Sequence, residues 1–114
     1  MTIDHQKVRK QLLARRAELT EQVEATAEER KPVEADQATV GRLSRMDAIQ
    51  AQAMAQATER LRATEIHRID AALARLDAGE YGTCVACGGE IDEKRLALDP
   101  AAPNCIACAR AASH

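Results

Sequence analysis

Apolar residues return every three or four positions through two long stretches of this chain, then give way to four cysteines in two close pairs. Residues 4–30 contain neither glycine nor proline, and Val8, Leu12, Leu19 and Val23 lie at spacings of four, seven and four. With Arg15 or Arg16 and Thr26 completing the stripe, the pattern predicts one helix with a narrow coiled-coil seam rather than a broad buried face. Pro32 drives the residue before it out of the helical region and is expected to end this helix. A polar segment, residues 31–41, follows. A second, longer helix is predicted up to about Ala78, with Gly79 placed to cap it. Its start has two readings. Either Asp36 caps it and Val40, Leu43, Asp47, Gln50, Met54, Ala57 and Leu61 share one seam, or Ser44 caps it with Asp47 as capping-box partner. An irregular tip through about residue 40 is the preferred reading.

The seam moves by about one residue after Leu61, because Ile66, Ile69, Leu73 and Leu76 keep heptad spacing only among themselves. If the helices fold back near residue 34, Asp4 stands opposite residues 63–64. The rest of the second helix must then pack on something else, and residues 80–112 are the candidate. The expected fold class is mainly α. Residues 1–78 form a long antiparallel helical hairpin with its tip at about 31–43, and residues 79–114 form a small four-cysteine module with a short C-terminal helix.

Composition sharpens this picture. Of 114 residues 46% are hydrophobic, yet 24 are alanine and Tyr81 is the sole aromatic. A sandwich, barrel or doubly wound sheet needs β-branched and aromatic residues in quantity, so those folds are excluded. A thin two-helix seam is marginal alone, which implies a further source of stability. The net charge of −2 gives the whole molecule no pull toward nucleic acid or anionic membrane. No run approaches the ~20 apolar residues of a membrane span, and Met1–Lys10 lacks the apolar stretch of a signal peptide. A reducing cytoplasm is therefore the expected compartment, where four cysteines serve as metal ligands rather than disulfides.

Cys84-x-x-Cys87 and Cys105-x-x-Cys108 are separated by seventeen residues, the spacing of one tetrahedral zinc site. Each pair grips one edge of the tetrahedron. Four thiolates close the coordination sphere and leave no position for water or substrate, so the expected ion is a single structural Zn2+. A redox dithiol is the competing reading. His5, His67 and His114 are scattered and not needed as ligands. No phosphate loop or paired nucleophile and base is present at motif spacing, and no enzyme is expected.

Charge is unevenly placed. Lys7, Arg9, Lys10, Arg15 and Arg16 crowd the start of the first helix, while Glu18, Glu21, Glu24, Glu28, Glu29, Glu34 and Asp36 lead to the tip. The helix dipole prefers the reverse order. A solvated face is the plain explanation, and delivery of an acidic tip to a cationic or metal-containing site is the functional one. In residues 80–112, Lys94, Arg95 and Arg110 face five acids, which argues against direct DNA binding.

The run Tyr81-Gly-Thr-Cys-Val-Ala-Cys-Gly-Gly-Glu-Ile91, followed by Arg95-Leu96, Pro100 and Cys105-Ile-Ala-Cys108, resembles the C-terminal zinc finger of the DksA/TraR family. Ile66, Ile69, Leu73 and Leu76 match that family's helix entering the finger. The resemblance covers about residues 61–110 and implies a bacterial transcription regulator that binds RNA polymerase. Such regulators insert a coiled-coil tip through the secondary channel. The family tip reads Asp-x-x-Asp-x-Ala. Asp36 and Ala38 supply its second half, Val33 falls where the first aspartate belongs, and Glu34 is the neighbouring acid. The resemblance also implies a basic site for the alarmone ppGpp. Arg68 stands at one such position, whereas Asp99 and Ala109 occupy two others, so weak or absent ppGpp dependence is expected. A monomer is expected. The alternatives are a zinc ribbon that binds nucleic acid and a coiled-coil adaptor.

Overall fold

The computed structural model describes residues 3–27 and 42–112. Four helices follow in order: α1 (His5–Ala25), α2 (Arg42–Ala78), α3 (Glu93–Leu98) and α4 (Ile106–Ala112). Among the described residues there is no strand, only an isolated bridge between Thr83 and Glu90. The molecule is long and thin, with principal extents of 63 × 32 × 20 Å.

Asp4 starts α1 by accepting the Lys7 amide at 3.1 Å, the usual role of an acidic N-cap. The helix ends at Ala25, earlier than the residue 30 expected from Pro32. At Thr26 the backbone leaves helical geometry, with φ −103 and ψ 11. The Thr26 amide and hydroxyl both donate to Gln22 O, at 3.1 and 2.9 Å, so the last turn is satisfied locally. At the far end of α2, Gly79 has φ +73, Glu80 N donates to Arg75 O, and Gly79 N donates to Leu76 O. This is the left-handed glycine termination that the sequence led one to expect. Helix α2 begins at Arg42, with Ser44 inside it, so Ser44 is not its cap; Asp36 lies outside the described residues.

The helices pair antiparallel through Arg9–Asp77 at 2.7 Å, Arg16–Asp70 at 2.7 Å and Arg62–Thr26 at 3.1 Å. This register overturns the expected one. The start of α1 reaches not residues 63–64 but the finger, where Ile3 packs beside Gly82. Among the described residues, the part of α2 that extends beyond α1 is therefore its first half.

On α1 the expected stripe holds. Leu12 and Leu19 are buried and Val8, Val23 and Thr26 half-buried, with Arg16 rather than Arg15 completing it. On α2 the expected seam does not hold at Asp47, Gln50, Met54 and Leu61, which are exposed; Ala57 is half-buried, and Val40 and the Leu43 side chain lie outside what is described. Met54 and Leu61 are 69% and 72% exposed. The half-buried positions 48, 52, 55, 59 and 62 instead continue the heptad register of Ile66, Ile69, Leu73 and Leu76 without a break. There is no phase change. The two sets of residues lie on neighbouring faces of one helix, about one residue apart in phase, and small or long polar side chains fill the inner seam where apolar ones are missing. Leu61, Arg68 and Arg75, seven residues apart, mark the outer face, which the finger covers only near its base.

The finger packs on α2 through Ile69, Ala72, Leu76, Tyr81, Ile91, Leu96, Ala101 and Ala102, all buried. Tyr81 joins the two parts, donating its hydroxyl to Pro100 O at 2.8 Å while its ring meets His5 edge-on at 6.0 Å.

Candidate metal centre

The first knuckle is shaped by its own backbone. Cys84 N donates to Gly89 O at 2.7 Å, Gly88 N to Cys84 O at 2.9 Å, and Gly89 N to Cys87 Sγ at 3.4 Å. Gly88 takes φ +74, a conformation that residues with a Cβ avoid. The second knuckle opens α4, where Ala109 N donates to Cys105 O at 2.9 Å and Cys108 is carried on the first turn.

These loops bring all four sulfurs within 4.8 Å of one another. Cys87 Sγ and Cys105 Sγ are 3.9 Å apart. Zinc–sulfur bonds of ~2.3 Å in a tetrahedron require sulfur–sulfur edges of about 3.8 Å, so the cluster fits that ion. Cys84 is buried, Cys105 and Cys108 are half-buried and Cys87 is exposed.

Protonation points the same way. Backbone N–H groups of Cys105 and Cys87 pull the Cys84 thiol down to about 6. Cys108, whose proton is shared with the sulfurs of Cys105, Cys84 and Cys87, is pushed up to about 12. One sulfur ionises readily and the last resists, because four adjacent negative charges repel. A bound dication removes that conflict and lets all four ionise.

Asn104 and Arg95 were not anticipated as part of this site. Asn104 Oδ1 lies 3.8 Å from Cys84 Sγ, and its backbone carbonyl accepts from Arg95 Nε at 2.8 Å. Arg95 belonged to the run that resembles the family finger, without a role assigned to it, and Asn104 was legible only as a polar residue immediately before Cys105.

Residues 79–114 match the prokaryotic dksA/traR C4-type zinc finger. Over nearly the whole length, the fold is similar to the structure of transcription factor DksA2 from Pseudomonas aeruginosa. The TM-score is 0.72 at 28% identity, covering 96% of this chain and 82% of that one. The chain is DksA-like. An uncharacterized protein from Aquifex aeolicus (strain VF5) is 43% identical over 44 residues, which span 39% of the DksA-like chain and only 30% of that protein's length. The four clustered cysteines of this chain are able to bind metal, and a finger of this kind is held by one structural zinc ion.

Of the other residues singled out, Glu34, Asp36, Ala38 and His114 lie outside the described residues. His5 stands against Tyr81 and His67 is exposed on α2, both apart from the sulfur cluster. Arg68 sits at the junction of α2 and finger, bonded to Asp99 Oδ2 at 2.6 Å and Glu65 Oε2 at 2.9 Å. Burial works against its charge, but the two carboxylates hold its proton more tightly than usual. Among the described residues, no helix is long and apolar enough to cross a membrane.

Proposed function

We propose that this chain is a cytoplasmic, monomeric transcription regulator of the DksA/TraR kind that binds bacterial RNA polymerase through its secondary channel. Residues 1–78 act as the inserted hairpin and residues 79–114 as its base. The observation that carries the reading is the shape: a slim helical hairpin with a small module at one end that holds this chain's four clustered cysteines, in a fold similar to that of DksA2 over 96% of the chain's length. A narrow, alanine-rich seam keeps the hairpin slim, and stiffness limits the ordering cost of insertion. Cys84, Cys87, Cys105 and Cys108 hold the zinc ion as thiolates and leave no open coordination position for catalysis.

The acidic tip, Glu34 and Asp36 with Ala38 beside them, is the part directed at the polymerase active site. Dependence on ppGpp is weak or absent in this reading. Arg68 already faces two carboxylates, and the acid at Asp99 opposes a polyphosphate. A second reading, a coiled-coil adaptor, draws on the exposed Met54 and Leu61; polymerase pull-down separates the two.

The test is run-off transcription by purified polymerase on a ribosomal promoter, with and without protein and ppGpp. The expected result is a change in transcript yield that is equal with and without ppGpp. Asp36→Asn combined with Glu34→Gln should abolish it while polymerase binding persists. Normal regulation by that variant would remove the tip assignment, and strong potentiation by ppGpp would overturn the alarmone prediction.

A further inference from the structure

Six consecutive residues, Asp99 to Asn104, run from the hairpin to the sulfur cluster, and five independent contacts pin them. Asp99 accepts from Arg68 on α2 at 2.6 Å. Pro100 O accepts from the Tyr81 hydroxyl at 2.8 Å. Ala101 and Ala102 are buried in the core at 3% and 1% exposure. Pro103 O accepts from Val85 N, inside the first knuckle, at 2.9 Å. Asn104 O accepts from Arg95 on α3 at 2.8 Å, and its side chain reaches Cys84 Sγ at 3.8 Å. The next residue is Cys105.

We propose that residues 99–104 are a strap through which Arg68 and Arg95 position the cysteine cluster, so that the hairpin itself sets how firmly the metal is held. The physical case is one of rigidity. Two proline positions limit the backbone freedom of the strap. Arg95 fixes the carbonyl directly before Cys105, and Arg68 fixes the opposite end through a charged, partly shielded hydrogen bond. A metal site bound by knuckles on two separate loops is tight only if the loops are held at the correct separation. Val85 N, donating to Pro103 O, ties those loops to each other. The coupling is reciprocal: what the strap contributes to metal retention, the metal contributes to the clamp between finger and α2. This inference does not depend on what the hairpin tip binds.

The test follows release of zinc from the full-length holoprotein to a chromogenic chelator. Arg68→Gln, Asp99→Asn and Arg95→Leu should each accelerate release by about threefold to tenfold. Combining Arg68→Gln with Asp99→Asn should be no faster than either alone, and the exchange Arg68→Asp/Asp99→Arg should restore the slow rate. Arg9→Gln serves as control, since it breaks the 2.7 Å pair with Asp77 but touches nothing on the strap. Far-UV circular dichroism verifies that each variant keeps its helices. Wild-type release rates from Arg68→Gln and Asp99→Asn would overturn the proposal, and so would an equal acceleration in Arg9→Gln.

Discussion

Tyr81 carries more of this molecule than any other single residue. It is the sole aromatic, it is 8% exposed, and it contacts α1 through His5 and the strap through Pro100. Burial pushes its phenol above the ordinary value of 10.0, an effect that Arg75 opposes and Asp99 reinforces. A group whose folded pKa is raised stabilises the fold fully below the unfolded value and loses that contribution as pH rises through the folded one. The phenolate absorbance, unambiguous with one tyrosine, should therefore titrate with a midpoint above 10.0 in the folded protein and return to 10.0 in denaturant. Equal midpoints would mean that the ring is not held in the junction. Arg68 shows the same dependence on surroundings. The family resemblance implied an anion-binding role for it, but its environment, Glu65 and Asp99, already satisfies it.

At the scale of elements, α2 presents two faces that sequence pattern alone confuses. Its inner seam, continuous from Ile66 to Leu76, meets Leu12 and Leu19 of α1; its outer face carries Met54 and Leu61 into solvent. Substitution should separate them. Leu19→Ala, at a residue only 3% exposed, should cost about 2–3 kcal/mol in denaturant unfolding. Leu61→Gln should stay within about 0.5 kcal/mol, as exposed positions do. Similar losses at both sites would restore the seam through Leu61. The first helix of the hairpin was legible as a stripe because Val8, Leu12, Leu19 and Val23 have no rival pattern. The second was not, because Leu61 and Ile66 belong to different faces and read as one shifted seam.

At the scale of the whole molecule, stability is divided between a thin interface and a metal. The largest fully buried side chains are Ile69 and Cys84, one in each part, and the base of the hairpin is organised around the finger. Removal of zinc by chelator, or the change Cys87→Ser, should lower metal content from about one ion per chain to near zero. It should also abolish the near-ultraviolet dichroism of Tyr81, whose hydroxyl is held by Pro100 on the strap. Most of the far-ultraviolet helical signal should persist, because α1 and α2 contain 21 and 37 residues against 6 and 7 in α3 and α4. Loss of the hairpin signal together with the tyrosine signal would show that the helices cannot stand without the finger. The acidic tip, on which the proposed activity turns, rests on the sequence reading and the transcription test alone.

Local chemistry was enough to specify two long helices, the Val8-to-Thr26 stripe of the first, the glycine termination at Gly79, and a four-cysteine finger. Each of these depends on residues close in the chain: helical periodicity, a cap, and two ligand pairs at short spacing. Tertiary structure alone decided the register of the hairpin, which face of α2 meets α1, where Arg68 finds its partners, and the route of the strap into the metal site. Those features are chosen between stretches far apart in sequence. A helix rich in alanine and polar residues offers more than one face of similar cost, and the burial of Leu12 and Leu19 with Ile69, Ala72 and Leu76 selects one, in a register that also pairs Arg9 with Asp77 and Arg16 with Asp70.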